Sequence, residues 1–384
     1  MNVLQVATLN RPIGRELGYG PIETVIYNID KGLHKLGHRS IVACSGDSIV
    51  SGEKFTTIEK SFSEYWSKDT SEQREDMQKH LVISLERARR GDIDIIHMHD
   101  ASMLEFIFKG IVKSPVPVVM TLHVPAEEEG SFKLWNKFLK SDSGVYFVPI
   151  SEYQRKQHDG LVNLQKVIHH GVDIEDYSFM KYQDKQEYLF SIGRITRDKG
   201  QDKAIEIAKK SGRRLIIAGN IQNKVKDRAF YKKIKKSIDL VTDAGEHISG
   251  NDYYENAIKP ILDSDNRIIY IGEVDSAQKK QWYLHARATL FPIQWGEPFG
   301  LVLIESMACG TPVIALNKGS VPEIVVHEKT GFVVESIDEM IDAVKSIDRI
   351  DPADCRRHIK DNFSIVSMAK KYSELYTNIL EKKL

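Results

Sequence analysis

The sequence predicts an α/β protein built from two Rossmann-like parallel-sheet domains in series. Three observations predict it. Short runs rich in Val and Ile alternate with stretches whose apolar residues recur every three or four positions, the pattern of strands joined by crossover helices. The strand-turn-helix start at the N-terminus is repeated at Tyr188 to Gly193. A length of 384 residues exceeds what one hydrophobic core usually serves.

In chain order, Val3 to Leu9 reads as a buried strand followed by a Gly-rich turn. Ile22, Val25, Ile26, Ile29, Leu33 and Leu36 then share one helical face, and Gly37 is placed to stop that helix. Ser40 to Cys44 is the next strand. Residues 61 to 91 read as a polar helix with a basic end at Arg87, Arg89 and Arg90, and Ile93 to Met98, Val116 to Leu122 and Tyr146 to Ile150 read as strands. The run His169-His170-Gly171-Val172-Asp173 interrupts the pattern, which divides the chain into a first domain of residues 1–172 and a second of residues 173–365. The second repeats the scheme, with strands near Leu189 to Ile192, Arg214 to Ala218, Arg267 to Ile271, Ala288 to Pro292, Pro312 to Ala315 and Gly331 to Val334. The closing segment, residues 366–384, sets Met368, Tyr372, Leu375, Tyr376, Ile379 and Leu380 on one face, an amphipathic helix expected to pack back on the first domain. No short-period repeat is present, so a solenoid is excluded.

Charge narrows the function. Lys and Arg total 54, as do Asp and Glu, and the balance holds within each half: 21 basic and 22 acidic residues up to Val172, 33 and 32 after it. Neither half is a polycation of the kind that coats nucleic acid. Cys44, Cys309 and Cys355 are too few and too scattered for a disulfide framework or a Cys-rich zinc site. No run of 18 apolar residues occurs, and the first residues lack a basic leader and cleavage site, so a cytoplasmic protein is expected.

Three stretches carry chemistry. The turn Gly18-Tyr19-Gly20-Pro21-Ile22-Glu23 lies between strand and helix, where amides favour an anion. It is not a dinucleotide fingerprint, because Glu23 stands where the third glycine belongs and Asp47 is nearly thirty positions beyond Gly18. The turn Gly193 to Gly200 repeats that placement and adds Arg194 and Lys199, two cations suited to a diphosphate. Between Phe291 and Val313 lie Glu297 and Glu305; Pro298 and Gly300 argue against one helix through both, so a helix is expected to start near Leu301. The amides of Phe299, Gly300 and Leu301 then face a phosphate, and the two carboxylates suit vicinal hydroxyls. His97 and His99, with Asp100, sit on one side of a strand end; structural or substrate-positioning roles are favoured there over metal ligation. His123, before Pro125, ends another strand at the edge where parallel sheets place ligands.

These motifs, with Gly37-His38, Thr121-Leu122-His123, His170-Gly171-Val172-Asp173 and Gly319-Ser320-Val321-Pro322-Glu323, make nearly the whole chain resemble the nucleotide-sugar-dependent glycosyltransferases of family 4, which have the GT-B fold. The resemblance implies two domains facing a cleft and a hexosyltransferase that retains anomeric configuration, with UDP-glucose or a close relative as donor and a carbohydrate or lipid-linked acceptor. It implies polysaccharide biosynthesis as the setting, with no cofactor and no metal. By it, Arg194 and Lys199 hold the donor diphosphate, Glu305 the ribose, and Glu297 with the amides of Phe299, Gly300 and Leu301 the hexose. His123 lies beside the donor sugar, and Gly272 and Val274 pass the base. Gly18 borders the donor, while Tyr19, Gly20 and His99 are acceptor-side candidates. Catalysis is assigned to His123, Glu297, Arg194 and Lys199.

The chain departs from the family pattern in having Tyr19 between Gly18 and Gly20, Ser320 after Gly319, and His170 before Gly171. An extra segment runs from Gly219 to Tyr253, and its core, residues 224–236, carries seven basic residues against Asp227. A solvated helix face is expected for it; a weak peripheral contact with anionic lipid at the inner face of a membrane is the alternative. Rival readings of the whole chain are a GT-B sugar-nucleotide epimerase or glycan phosphorylase, and a non-catalytic nucleotide-sugar binding protein.

Overall fold

The continuous apolar runs form strands covered on both faces. Val3, Leu4 and Val6 of the first strand have no exposed surface, as expected of a central strand in a parallel sheet. The computed structural model describes residues 1–14, 20–62, 71–108, 113–125, 144–244 and 252–382. It divides the chain into two compact units, Met1–Asp173 with Ser364–Leu384, and Ile174–Phe363.

The first unit holds a six-stranded parallel sheet of β1 (Asn2–Val6), β2 (Arg39–Ser45), β3 (Glu53–Ile58), β4 (Ile95–Met98), β5 (Val118–Thr121) and β6 (Val145–Val148), in the order β3-β2-β1-β4-β5-β6. Period-two alternation gives its faces different chemistry. One face is apolar: Leu4, Val6, Ile41, Ala43, Ile96, Met98, Val118, Met120 and Phe147 pack with Leu81 and Leu85 of the helix Ser71–Ala88. The other carries Gln5, His97 and Thr121, all buried.

The helix Pro21–Lys35 and the C-terminal helix Ile365–Glu381 belong to this unit and pack against each other. Tyr372 and Tyr376 of the C-terminal helix satisfy the polar face: the Tyr376 hydroxyl lies 2.7 Å from His97 Nδ1, and the Tyr372 hydroxyl 2.8 Å from Thr121 Oγ1. Lys31 and Lys35 both reach the buried Asp173 carboxylate.

The second unit holds a seven-stranded parallel sheet of β7 (Tyr188–Ile192), β8 (Arg214–Ala218), β9 (Leu240–Val241), β10 (Ile268–Tyr270), β11 (Ala288–Phe291), β12 (Val313–Leu316) and β13 (Gly331–Val334), in the order β13-β12-β11-β7-β8-β10-β9. In each sheet the chain reverses its direction of winding once, beside β1 and β4 in the first and beside β7 and β11 in the second. Those switch points are where open parallel sheets take ligands.

Two sequence expectations are amended. The helix expected over residues 61–91 is described only as Ser71–Ala88; Ser61 and Phe62 precede it without regular structure, residues 63–70 lie outside the described residues, and Arg89 and Arg90 fall in the turn that follows. Strand β3 is not marked by the sequence pattern. Its run Glu-Lys-Phe-Thr-Thr-Ile lacks apolar continuity because it lies at a sheet edge, with its first two residues exposed.

Candidate functional site

In the second unit, β7 ends at Ile192 and leads through Gly193 and Arg194 into a 3-10 turn, Arg197–Lys199. Gly200 follows in the left-handed region at φ +73°, and a Cβ there would fall 2.1 Å from the carbonyl oxygen of Pro292. That contact lets the helix Gln201–Ser211 start hard against the exit of β11. Gln294 N–H, on that exit, donates to the carbonyl of Asp198 at 2.8 Å, and Gln201 Nε2 donates to the carbonyl of Arg194 at 2.9 Å. The turn and the β11 loop are therefore one hydrogen-bonded piece.

Lys199 is the side chain this piece aims. Its Nζ donates to Glu297 Oε2 at 2.6 Å and stands 5.4 Å from the ring centroid of Trp295, within cation-π range. Both partners are only about one-seventh exposed, 16% for Lys199 and 15% for Glu297. Arg194, half-buried, is held by Gln222 Oε1 at 3.4 Å.

Glu297 is fixed from behind by the Gly319 turn. A Cβ on Gly319, whose φ is +61°, would lie 2.3 Å from the Glu297 carbonyl oxygen. Next to it, Ser320 donates its N–H to that oxygen at 3.0 Å and its hydroxyl to the Phe299 carbonyl at 2.6 Å. The Ser320 hydroxyl thereby ties down the loop that precedes the Glu305 helix.

That helix is Leu301–Ala308, beginning where the sequence placed it because Pro298 and the left-handed Gly300 cannot continue it backwards. Its first-turn amides have no carbonyl of their own helix to bond. Phe299 contributes backbone only, since its ring is buried against Phe363.

Glu305 is buried, and its carboxylate takes Lys279 Nζ at 2.6 Å and the Tyr283 hydroxyl at 3.2 Å. Lys279 and Tyr283 sit four apart on one face of the helix Ser276–His285, and sequence reasoning passed over both. Burial, and after it the Glu305 charge, hold the Tyr283 hydroxyl well above its usual pKa, so it acts as a donor. Gly272 and Val274 follow β10 on the same edge of the sheet; Val274 is buried, and Gly272 takes a left-handed turn beside Asp243.

The corresponding edge of the first unit is built from histidines. His99 follows β4 and is buried; His123 follows β5 and is half-buried; their Nδ1 and Nε2 atoms lie 3.1 Å apart. His123 stacks on His170, with ring centroids 5.4 Å apart. His97, two residues before His99, is inside the sheet with Thr121 on Nε2 and Tyr376 on Nδ1, which makes it structural.

Burial pushes the pKa of His97 and His123 down to about 3 and holds His99 and His170 well below the ordinary histidine range, so all four are neutral at physiological pH. Among the described residues no group of three or more His, Cys, Asp or Glu is disposed to hold a metal ion.

Gly20 is buried at the start of the first helix, where its carbonyl accepts the Thr24 N–H and hydroxyl; Gly18 and Tyr19 lie outside the described residues. Glu23 is buried and accepts the Thr8 hydroxyl at 2.8 Å, and burial raises its pKa.

Two parallel-sheet units, each with a polar cluster beyond the carboxyl ends of its strands, define a GT-B glycosyltransferase architecture. The model for Glycosyltransferase Family 4 matches residues 20–176, and that for Glycosyl transferases group 1 matches residues 175–361. The chain belongs to this glycosyltransferase family and is an enzyme, a hexosyltransferase of the family-4 type.

It is 24% identical over 316 residues to N-acetyl-alpha-D-glucosaminyl L-malate synthase of Bacillus anthracis, covering 77% of each chain. In structure it is similar to sucrose-phosphate synthase of Thermosynechococcus elongatus, with a TM-score of 0.71 at 16% identity over 99% of both chains. It is likewise similar to Anabaena HepE, solved in complex with UDP-glucose, with a TM-score of 0.68 at 16% identity over 98% of this chain and 100% of that one. At such identities the structural likeness establishes the fold.

Proposed function

We propose that the protein transfers a hexose, with retention of anomeric configuration, from UDP-glucose or a close relative to a hydroxyl of a glycan, glycolipid or glycoside in polysaccharide biosynthesis. The observation that carries this is the half-buried Lys199–Glu297 pair at the β7/β11 switch point, a cation and a carboxylate side by side where a sugar diphosphate offers an anion and hydroxyls. That HepE was solved with UDP-glucose supports the choice of donor.

As the bond from the anomeric carbon to the diphosphate oxygen breaks, negative charge grows on the leaving group. Arg194, Lys199 and the amides of Gly300 and Leu301 are assigned to stabilise it, with no metal or other cofactor. Glu305, with Lys279 and Tyr283, is assigned to the ribose. Glu297 and His123 orient the hexose. The acceptor hydroxyl adds to the anomeric carbon on the face the diphosphate leaves, and its proton passes to the departing phosphate oxygen. Gly272 and Val274 are assigned to the base, Gly18 to the donor, and Tyr19 and Gly20 to the acceptor; His99, buried with both ring nitrogens bonded to Gln5 and His123, acts through His123 and does not contact the acceptor.

Purified protein incubated with UDP-, GDP- and ADP-sugars in EDTA is expected to release UDP from its donor. No release from any donor, or activity abolished by EDTA, contradicts the reading.

We further assign the protein a weak peripheral contact with anionic lipid. No helix among the described residues is long and apolar enough to cross a membrane. The helix Val225–Lys235 buries Asp227, Phe230 and Ile234 and exposes Lys226, Arg228, Lys232, Lys233 and Lys235, with Lys224 and Lys236 exposed at its ends. None of these seven cations is in an ion pair among the described residues. Each contributes about 1 kcal/mol at an anionic surface. The protein is expected to float with phosphatidylserine vesicles but not with neutral ones, and a Lys232→Ser, Lys233→Ser variant is expected to lose most of that recovery; equal recovery of both proteins removes the assignment.

A further inference from the structure

Four polar side chains, Ser40, Gln5, His99 and His123, run in file across the first unit. The Ser40 oxygen accepts the amide N–H of Gln5 at 3.1 Å. This orients Gln5 with its carbonyl Oε1 toward His99 Nε2, 3.2 Å away.

A carbonyl also only accepts, so His99 carries its proton on Nε2 and a lone pair on Nδ1. That lone pair faces His123 Nε2 at 3.1 Å, which places the His123 proton on Nε2 and leaves its Nδ1 bare. Burial keeps both rings neutral, so neither gains the second proton that would erase the polarity of the file. Among the described residues no hydrogen-bond partner of His123 Nδ1 is found.

We propose that His99, oriented by Gln5, is a positioning residue that locks His123 as its Nε2–H tautomer, so that His123 meets the hexose as a hydrogen-bond acceptor for a sugar hydroxyl. The functional half of this proposal rests on the reading of His123 as donor-facing; the tautomer does not. The lock has a direct consequence for specificity. A donor sugar that offers a hydroxyl to His123 is matched, whereas one that offers only an acceptor oxygen leaves two lone pairs face to face.

The test uses the full chain labelled with 15N-histidine. Long-range 1H–15N correlation is expected to show His123 with a protonated Nε2 and an unprotonated Nδ1. Gln5→Met, which keeps the side-chain length and removes the acceptor, is expected to convert His123 to a mixture of tautomers and to lower kcat/KM for the donor about tenfold, with the melting profile retained. A wild-type His123 protonated on Nδ1 overturns the proposal, and this measurement needs no variant to fold. A tautomer ratio unchanged in Gln5→Met overturns the lock, and unchanged kcat/KM overturns its role in transfer. If the wild-type tautomer is as stated but no nucleotide sugar is turned over, the transferase reading fails and the lock stands.

Discussion

The two sheet edges share a layout and differ in chemistry. In the second unit the polar cluster is charged and paired, Lys199 with Glu297 and Lys279 with Glu305. In the first it is neutral: His99, His123 and His170 are kept uncharged by burial and linked by ring contacts and hydrogen bonds. The contrast follows from how each edge is made. Lys199, Glu297 and Lys279 keep part of their surface in solvent, which lowers the cost of holding charge. His99 and His170 are buried, where an unpaired charge is costly and a neutral ring is favoured. A charged edge suits the diphosphate and ribose of a nucleotide, and a neutral one the hydroxyls of a sugar.

The largest expected effect comes from breaking the charged edge. Lys199→Ala removes a charge-assisted bond, worth about 1.5 to 3 kcal/mol, and leaves Glu297 without its cation. Donor kcat/KM is expected to fall about a hundredfold in steady-state kinetics while circular dichroism is unchanged. An undiminished rate would remove Lys199 from the site.

Acid sharpens the comparison next. A histidine whose folded pKa lies below its unfolded value, near 6.5, favours folding fully above that value, and this contribution is lost as pH falls toward the folded pKa. For His97, with a folded pKa of about 3, the loss at pH 5 is about 2 kcal/mol. His80, buried under the same sheet and pushed down to about 4, adds to it. Hydrogen exchange at pH 7 and pH 5, read peptide by peptide, is expected to show β1, β4 and β5 losing protection before β7 and β11. Simultaneous loss would dissolve the distinction between the two edges.

A smaller effect is expected at Gly319. Alanine there would press on the Glu297 backbone and strain a left-handed residue, at a cost of roughly 1–3 kcal/mol. The melting temperature should drop by a few degrees and donor kcat/KM several-fold. A variant as stable and active as wild type would show that the Gly319 turn does not fix Glu297.

Much of this was legible in sequence because it is local. The turn from Gly193 to Gly200 and the helix start at Leu301 announce themselves through glycine, proline and the strand before them. What was not legible joins residues far apart in the chain. Glu305 was singled out, but its partners Lys279 and Tyr283 stand 26 and 22 residues earlier on another helix, with nothing local to mark them. The two-residue spacing of His97 and His99 put both on one side of a strand. It did not separate their fates, which are set by Tyr376 on the C-terminal helix for one and Gln5 on β1 for the other. Strand β3 escaped for a third reason, since an exposed edge strand needs no apolar run.

The central claim, that the charged edge holds the nucleotide and the neutral edge does not, is tested most directly by titration calorimetry of UDP into wild type, Lys199→Ala and His123→Ala. UDP affinity is expected to fall tenfold or more in Lys199→Ala and to stay within about twofold of wild type in His123→Ala. Equal affinity in wild type and Lys199→Ala, or a loss in His123→Ala as large as that in Lys199→Ala, would contradict it.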